Sequence, residues 1–247
     1  MPRAVRVHET GGPEVLRLEE WDPGEPGAGE LRVRVRAAGV NFLDIYFRTG
    51  LYPPELPFVC GFEGAGEVEA VGADVSGFAV GDRVAWALGP GSYADALLLS
   101  ASSAVPIPDL VSERGAAAAL LQGMTAHYLT HGVRETRAGD VALVHAAAGG
   151  TGLLLVQMLK RAGARVIGTC STAEKAECAR KAGADHVIRY GEENFAEVTR
   201  QLTEGRGVDV VYDSVGQATF EGSLGCLRAG ACSRSSANRA GRCPPSS

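Results

Sequence analysis

The first hundred residues contain short stretches in which apolar and polar positions alternate, a pattern that predicts β-strands. In residues 31–37 arginines alternate with leucine, valine and alanine, so the apolar side chains share one face and the arginines the other. Further strands are predicted at residues 67–71, 83–87 and 93–99. Because glycine-containing turns separate these short strands, we expect a small barrel-like or sandwich domain.

A second pattern begins at residue 140, where short apolar runs alternate with longer stretches that are typical of helices. The predicted strands are 141–144, 165–169, 186–189 and 208–213, and the predicted helices are 153–162, 173–181 and 195–202. Right-handed crossovers wind such a succession into a parallel sheet. A further helix, predicted from residue 116 to residue 130, bridges the two halves.

The change of pattern predicts an α/β protein with two domains, residues 1–122 and residues 123–228. Residues 229–247 contain no valine, isoleucine, leucine, methionine or aromatic residue. Such a segment buries almost nothing, so we expect it to be an aberrant, disordered tail. Open α/β sheets of this type normally have more strands, so the sheet is expected to be truncated. The break in composition predicts an altered reading frame after about residue 228.

Composition narrows the class of protein further. The chain has 247 residues, of which 45% are hydrophobic and 21% charged, as in soluble globular proteins. A formal net charge of −5 argues against nucleic acid or an anionic membrane as partner. The first residues lack the apolar core of a secretory signal, and the six cysteines show no repeated short spacing. These features predict free thiols and a cytoplasmic location.

The stretch between the first predicted strand and helix of the second domain is rich in small residues. It reads Ala147-x-Gly149-x-x-Gly152, one residue away from the glycine pattern of dinucleotide-binding turns. Its place between a strand and a helix predicts a turn that brings backbone amides to a pyrophosphate at a helix N-terminus. We expect Gly149, Gly150 and Gly152 to allow close backbone approach and Thr151 to start the helix.

The end of the second strand of this domain indicates which dinucleotide binds. An NAD-selective protein usually has an acid there for the ribose hydroxyls, whereas this strand ends Thr169-Cys170-Ser171. Lys175 lies one helical turn further on, and Tyr190 follows the third strand. A hydroxyl, an ammonium and a phenol suit a 2′-phosphate, so NADPH is predicted over NADH.

Five stretches of the chain, in order, resemble one known family. They are residues 39–53, 61–68, 81–84, 123–129 and 145–152. In these stretches the chain is similar to the zinc-free, ζ-crystallin-like quinone oxidoreductases of the medium-chain dehydrogenase/reductase superfamily. The resemblance implies a GroES-like domain for substrate and catalysis, followed by a Rossmann domain that binds NADPH. It also implies hydride transfer to a quinone without zinc.

The same resemblance implies roles for individual residues. It places residues 41–52 in a loop at the substrate end of the site, and it puts Ser171, Lys175 and Tyr190 around the 2′-phosphate. Asn41 and Tyr46 are candidates to hydrogen-bond the substrate carbonyl or the carboxamide, whereas Asp44 and Glu63 also suit purely structural roles. The implied catalytic residues are Asn41, Tyr46 and Tyr52, and the further implied cofactor contacts are Phe42, Asp44, Tyr128 and Val215.

Zinc chemistry is not expected in this chain. Zinc-dependent relatives place a cysteine where this chain has Asn41 and a histidine where it has Phe62, and no four-cysteine lobe follows Val84. His127 and His131 lie four residues apart on a predicted helix, a spacing that suits either a metal or an ordinary histidine pair. Since no third ligand accompanies them, we predict no metal site.

Two other readings of the function stay open at this point. Reduction of an activated C=C bond in an enone or alkenal uses the same cofactor geometry as quinone reduction. Alternatively, a chain with an incomplete sheet is inactive or binds only nucleotide. A homodimer is expected only if the edge of the sheet is complete.

Overall fold

The computed structural model describes residues 1–235, and the chain divides into two compact units after Leu121. This division lies one residue before the domain boundary expected from the sequence. It falls within a helix, Glu113–His127, whose position agrees with the predicted bridging helix. In the part of the chain that the structure describes, no helix is both long and apolar enough to span a membrane.

The first unit contains two antiparallel sheets. One has three strands in the order β2-β1-β4, and the other has five in the order β7-β3-β5-β6-β8. The elements are β1 (Arg3–Val7), β2 (Leu16–Glu20), β3 (Glu30–Ala38), α1 (Phe42–Arg48), β4 (Phe58–Val59), β5 (Glu63–Val71), β6 (Arg83–Ala87), β7 (Ala96–Ser100), β8 (Val105–Pro106) and α2 (Glu113–His127). The strands predicted from alternation are thus confirmed as β3, β5, β6 and β7.

Strand β3 shows why the alternation was informative. Leu31 and Val33 are fully buried in the core of this unit, together with Trp86 and Leu97. The arginines of β3 face the opposite side of the sheet, where Arg36 forms an ion pair with Glu67 of β5 at 3.0 Å. Apolar burial on one face and cross-strand ion pairs on the other together fix the register of β3 against β5.

The second unit is built around one parallel sheet. Within residues 122–235, five strands of this sheet lie in the order β11-β10-β9-β12-β13. The first three strands follow one another outward from β9, and β12 and β13 lie on the other side of β9. The elements are β9 (Val141–Val144), α3 (Gly150–Arg161), β10 (Arg165–Cys170), α4 (Ala173–Lys181), β11 (His186–Arg189), α5 (Phe195–Leu202), β12 (Val208–Asp213), α6 (Phe220–Cys226) and β13 (Leu227–Ser235). The predicted Rossmann-type sheet is therefore confirmed, and its order reverses between β9 and β12, where such folds bind ligands.

The fifth strand corrects one expectation from the sequence. Residues 229–235 were assigned to a disordered tail, but they belong to β13, which pairs in parallel with β12. The assignment failed because a sheet ladder is made by main-chain N–H and C=O groups, which small and polar residues supply as well as apolar ones. The rest of the assigned tail, residues 236–247, lies outside the described residues.

Candidate active site

The small-residue turn of the second unit connects β9 to α3. Helix α3 begins at Gly150 with Gly149 as its N-cap, one residue before Thr151, which was expected to start the helix, and three residues before the predicted helical run from Leu153. The amide of Gly149 donates to the Ala146 carbonyl at 2.8 Å, and the amide of Ala147 donates to the Thr169 carbonyl at 3.0 Å. The first-turn amides of an α-helix have no partner within the helix, so those of residues 150–152 are available to an anion.

Packing within the unit requires one of the three glycines in this turn. A Cβ at Gly152 would lie closer than 3.0 Å to the Ala146 carbonyl oxygen, which belongs to the main chain, whereas a Cβ at Gly150 would meet only the end of the Gln122 side chain, which can move aside. Gly149 is exposed, and a Cβ there would lie 3.2 Å from its nearest neighbour. Gly149 is therefore the position at which the missing side chain leaves the most room for a ligand.

The residues predicted to bind a 2′-phosphate lie together at the carboxyl ends of two neighbouring strands. Cys170 of β10 is paired with Arg189 of β11, so Ser171 and Tyr190 follow side by side. The Lys175 ammonium donates to the Ser171 hydroxyl at 3.2 Å. All three predicted side chains are exposed. The structure thus brings a hydroxyl, an ammonium and a phenol to one edge of the sheet.

A buried polar network, which sequence reasoning missed, lies at the carboxyl ends of β9, β10 and β12. His145 has 3% of its surface exposed and lies with Nδ1 3.0 Å from the Thr169 hydroxyl and Nε2 3.0 Å from the Ser223 hydroxyl. Ser223 in turn donates to Asp213 at 3.0 Å. The residues of this network are far apart in sequence, so no local spacing reveals them.

Asp213 connects this network to the turn that follows β12. Its Oδ1 accepts hydrogen bonds from the amides of Val215 at 2.8 Å and Gly216 at 3.0 Å. Its Oδ2 accepts from the Thr219 hydroxyl at 2.7 Å. Val215, an expected cofactor contact, therefore lies in a turn that Asp213 holds.

Burial and hydrogen bonding set the charge of the two titratable groups in the network. Burial lowers the pKa of His145, although the nearby Asp213 carboxylate opposes this. Burial raises the pKa of Asp213, but the hydrogen bonds from Gly216, Thr219 and Val215 outweigh it, so that the pKa is lowered overall. The network accordingly holds a neutral imidazole beside an ionised carboxylate at neutral pH.

In the first unit, the segment expected to be a loop is partly helical. Residues Phe42–Arg48 form α1, with Asn41 as the N-cap. The main-chain N–H of Asn41 donates to Asp44 Oδ2 at 2.7 Å, and the Tyr93 hydroxyl donates to the same oxygen at 2.8 Å. The expectation failed because the capping pair Asn41 and Asp44 forms a helix start that was not recognised in the sequence.

Glu63 is hydrogen-bonded to the start of this segment. It is fully buried, and its Oε2 accepts a hydrogen bond from Asn41 Nδ2 at 2.7 Å while its Oε1 accepts one from the Leu121 amide at 2.7 Å. Burial raises the pKa of both Glu63 and Asp44, with these hydrogen bonds opposing the shift. Both carboxyl groups have structural hydrogen-bond roles here, whereas contact between Asp44 and a cofactor stays a prediction.

Aromatic rings on α1 pack against one another and against rings from the segments that follow it. The Tyr46 and Tyr52 rings lie edge to face with centroids 5.4 Å apart, and the Phe42 ring lies 6.4 Å from that of Tyr46. Phe62 stacks on Phe47 at 4.5 Å. The structure therefore brings the three predicted catalytic residues, Asn41, Tyr46 and Tyr52, into one region of the first unit.

Tyr128, a further expected cofactor contact, lies in the second unit. It begins a π-helical turn, Tyr128–Val133, which continues directly from α2, and 60% of its surface is exposed. Its exposure makes the phenol accessible to a ligand, but its contact with a cofactor stays a prediction.

Two family models match the chain. Residues 27–109 match the alcohol dehydrogenase GroES-like domain, and residues 150–239 match a domain described as zinc-binding dehydrogenase. The zinc of that description does not fit the residues present, because Asn41 and Phe62 stand at the positions where zinc-dependent relatives have a cysteine and a histidine. Within residues 1–235, no group of three or more His, Cys, Asp or Glu side chains is placed to hold a metal. The His127 and His131 rings stack, with centroids 4.3 Å apart.

Individual relatives agree with both models. A quinone oxidoreductase of Pseudomonas aeruginosa is 49% identical over 229 residues, which cover 92% of this chain and 70% of the relative. A 2-haloacrylate reductase of a Burkholderia species is 48% identical over 235 residues, covering 92% of this chain and 71% of the relative. The chain thus spans about 70% of the length of these relatives.

Solved structures give the same result. The quinone oxidoreductase of Pseudomonas syringae superposes with a TM-score of 0.96 at 42% identity, over 100% of this chain and 77% of that one. The Escherichia coli quinone oxidoreductase, solved in complex with NADPH, superposes with a TM-score of 0.95 at 42% identity, over 99% of this chain and 76% of that one. The chain therefore belongs to the zinc-free quinone oxidoreductase family of the medium-chain dehydrogenase/reductase superfamily.

Proposed function

We propose that this chain binds NADPH on its second unit and that it catalyses the transfer of hydride from NADPH to a quinone. The observation that carries the proposal is the cluster of Ser171, Lys175 and Tyr190 at the carboxyl ends of β10 and β11. The related Escherichia coli quinone oxidoreductase, which was solved with NADPH, supports the choice of cofactor.

The pyrophosphate is assigned to the turn before α3. The amides of residues 150–152 face outward from the helix N-terminus, where the helix dipole also favours negative charge. Gly149 is exposed and has no Cβ to keep a phosphate away from the backbone. The protein's contribution here is to bind the two phosphates through main-chain amides.

The 2′-phosphate is assigned to the strand-end cluster. The Lys175 ammonium already lies within hydrogen-bond distance of the Ser171 hydroxyl, so both groups converge on one point. A phosphate bound there accepts charge-assisted hydrogen bonds from the ammonium and further ones from the hydroxyl and the Tyr190 phenol. NADH has no phosphate at this position and therefore gains none of these bonds.

When bound, the nicotinamide supplies the hydride, and the protein orients it and excludes water. Asn41, Tyr46 and Tyr52 of the first unit are the groups we assign to the quinone. Glu63 fixes the orientation of the Asn41 amide through the hydrogen bond from Nδ2. The tyrosine hydroxyls are hydrogen-bond donors for the quinone oxygen, on which negative charge develops as hydride arrives.

One alternative substrate class has a specific observation in its favour. The relative that reduces 2-haloacrylate is 48% identical, nearly as similar as the quinone oxidoreductase of Pseudomonas aeruginosa. Reduction of a C=C bond conjugated to a carbonyl requires the same hydride donor and the same stabilisation of a carbonyl oxygen. The second candidate is therefore an NADPH-dependent enone reductase.

A substrate panel tests both candidates. Oxidation of NADPH, itself at saturating concentration, is followed over a range of concentrations of each member of a series of quinones and a series of enones and 2-haloacrylates. A higher kcat/KM for quinones supports quinone reduction, and the opposite order supports C=C reduction. NADPH binding without turnover on any member of the panel would instead leave a chain that only binds nucleotide.

A further inference from the structure

Buried polar residues of β10, β12, α6 and the turn after β9 lie beside the turns that we assign to the cofactor. This inference rests on the proposed function, because it concerns how the NADPH-binding turns are held. We propose that His145, Ser223 and Asp213 are positioning residues that hold the turn after β12 for the cofactor. They do so through a hydrogen-bond chain of one fixed direction, in which His145 is protonated on Nε2.

The direction of the chain follows from its end groups. An ionised carboxylate only accepts hydrogen bonds, so the Ser223 hydroxyl must donate its single hydrogen to Asp213. Ser223 then has no hydrogen left for His145 and must accept one from Nε2–H. With its proton on Nε2, a neutral His145 accepts at Nδ1, so the Thr169 hydroxyl donates to it.

The chain joins the parts of the second unit that carry the expected cofactor contacts. The Thr169 hydroxyl is hydrogen-bonded to His145, and the Thr169 carbonyl accepts a hydrogen bond from the Ala147 amide of the glycine turn. At the other end, Asp213 accepts the amides of Val215 and Gly216. The turn before α3 and the turn after β12 therefore share one buried support, located where the strand order reverses.

Burial is what makes the chain effective as a support. His145, Thr169, Asp213 and Ser223 each have 3% or less of their surface exposed. Water cannot readily replace a lost partner at such positions, so each hydrogen bond is costly to break. The Phe195 ring, edge to face with the imidazole at 4.8 Å, further restricts its orientation.

Loss of the central hydroxyl is expected to loosen the turn without removing any group that touches the cofactor. In Ser223→Ala, the Asp213 carboxylate keeps the hydrogen bond from the Thr219 hydroxyl but loses the one from the Ser223 hydroxyl, which links it to His145. Exchange of the Val215 and Gly216 amides with solvent then accelerates by about tenfold, and the dissociation constant for NADPH rises by about threefold to tenfold.

Two measurements on the free protein test the chain. The ring ¹⁵N resonances of His145 in the unaltered chain report where its proton lies, so this test does not depend on how any variant folds. Amide exchange at Val215 and Gly216 is then compared between Ser223→Ala and the control Thr199→Val. Thr199 is equally buried, but it lies on α5 and its hydroxyl is not part of the hydrogen-bond chain.

The expected result is a neutral ring protonated on Nε2, with faster amide exchange in Ser223→Ala only. A proton on Nδ1, a doubly protonated ring, or equal exchange in the two variants would overturn the proposal. The NADPH dissociation constant is measured last for the unaltered chain and both variants. If the unaltered chain fails to bind NADPH, the proposed function fails, whereas the ring and exchange data still decide whether the chain of hydrogen bonds exists.

Discussion

The side-chain amide of Asn41 donates a hydrogen bond of 2.7 Å to Glu63, a carboxylate that is fully buried beneath it. The second oxygen of Glu63 accepts the Leu121 amide. Both oxygens of one buried acceptor are therefore committed to donors, one on a predicted catalytic residue and the other on the main chain of α2.

Replacing Glu63 by glutamine is expected to destabilise the protein. Glutamine has one acceptor oxygen, so its NH₂ group must face either Asn41 Nδ2 or the Leu121 amide, donor against donor. We expect the free energy of unfolding in urea to fall by about 1–3 kcal/mol. Glu67→Gln on the same strand is the control, because Glu67 forms only surface ion pairs, and its loss should be much smaller. Equal losses would contradict the buried role of Glu63.

The same variant predicts a pH dependence. Burial raises the pKa of Glu63 in the folded state, so the folded protein binds this proton more tightly than the unfolded chain does. The stability that Glu63 contributes is thus fully present below its unfolded pKa of about 4.3 and is lost as the pH rises through the folded pKa. The difference in unfolding free energy between the unaltered chain and Glu63→Gln should therefore shrink from pH 4 upward. A difference that grows with pH would show that the sign is wrong.

Lys175 is predicted to select NADPH. Removing its ammonium in Lys175→Ala should raise the KM for NADPH by about tenfold, because one charge-assisted hydrogen bond to the 2′-phosphate is lost. The KM for NADH should not change. Lys181→Ala is the matched control, since Lys181 lies at the other end of α4 and pairs with Glu177. A parallel rise for NADH would mean that Lys175 supports the helix and not the phosphate.

Gly152 is predicted to tolerate no side chain. In Gly152→Ala the new Cβ would meet the Ala146 carbonyl oxygen closer than 3.0 Å, so the turn before α3 must shift. We expect a lower melting temperature and loss of measurable NADPH binding. Gly225→Ala is the control, because a Cβ there meets nothing within 4 Å and alanine is the better helix former. Normal NADPH binding by Gly152→Ala would contradict the geometry of the turn.

The tyrosines of the two units are predicted to give opposite kinetic patterns. Tyr46→Phe and Tyr52→Phe should lower kcat with a quinone by about tenfold or more, since a donor to the developing negative charge is removed. Their NADPH dissociation constants should stay unchanged. Tyr190→Phe should instead weaken NADPH binding and leave kcat at saturation unchanged. Steady-state kinetics and fluorescence titration with NADPH separate the two patterns, and identical behaviour of all three variants would refute the assignment.

The sequence predicted much of the second unit because its signals are local. The strands at 141–144, 186–189 and 208–213 have the predicted bounds, since apolar runs that are buried on both faces differ clearly from their surroundings. Strand β13 was missed because its pairing depends on main-chain groups, and β1 and β2 were missed because their apolar positions are fewer and mixed with charged ones.

In the candidate site, too, the sequence predicted the features that depend on local signals and missed those that depend on the fold. The glycine turn and the cluster around Ser171 were predicted because the residues follow strands directly. The hydrogen bonds among His145, Thr169 and Ser223 join positions up to 78 residues apart, and only the three-dimensional arrangement of strands brings them together. The sequence left a structural role open for Glu63 but could not name its partner Leu121, which lies 58 residues further along the chain.

Thr169 holds two turns at once, through its carbonyl to Ala147 and its hydroxyl to His145. A substitution at Thr169 would therefore disturb both turns together. The exposed side chains of Ser171, Lys175 and Tyr190, by contrast, can be substituted one at a time. Under the proposed function, the choice between NADPH and NADH can therefore be redesigned at exposed side chains while the buried support of the two turns stays intact.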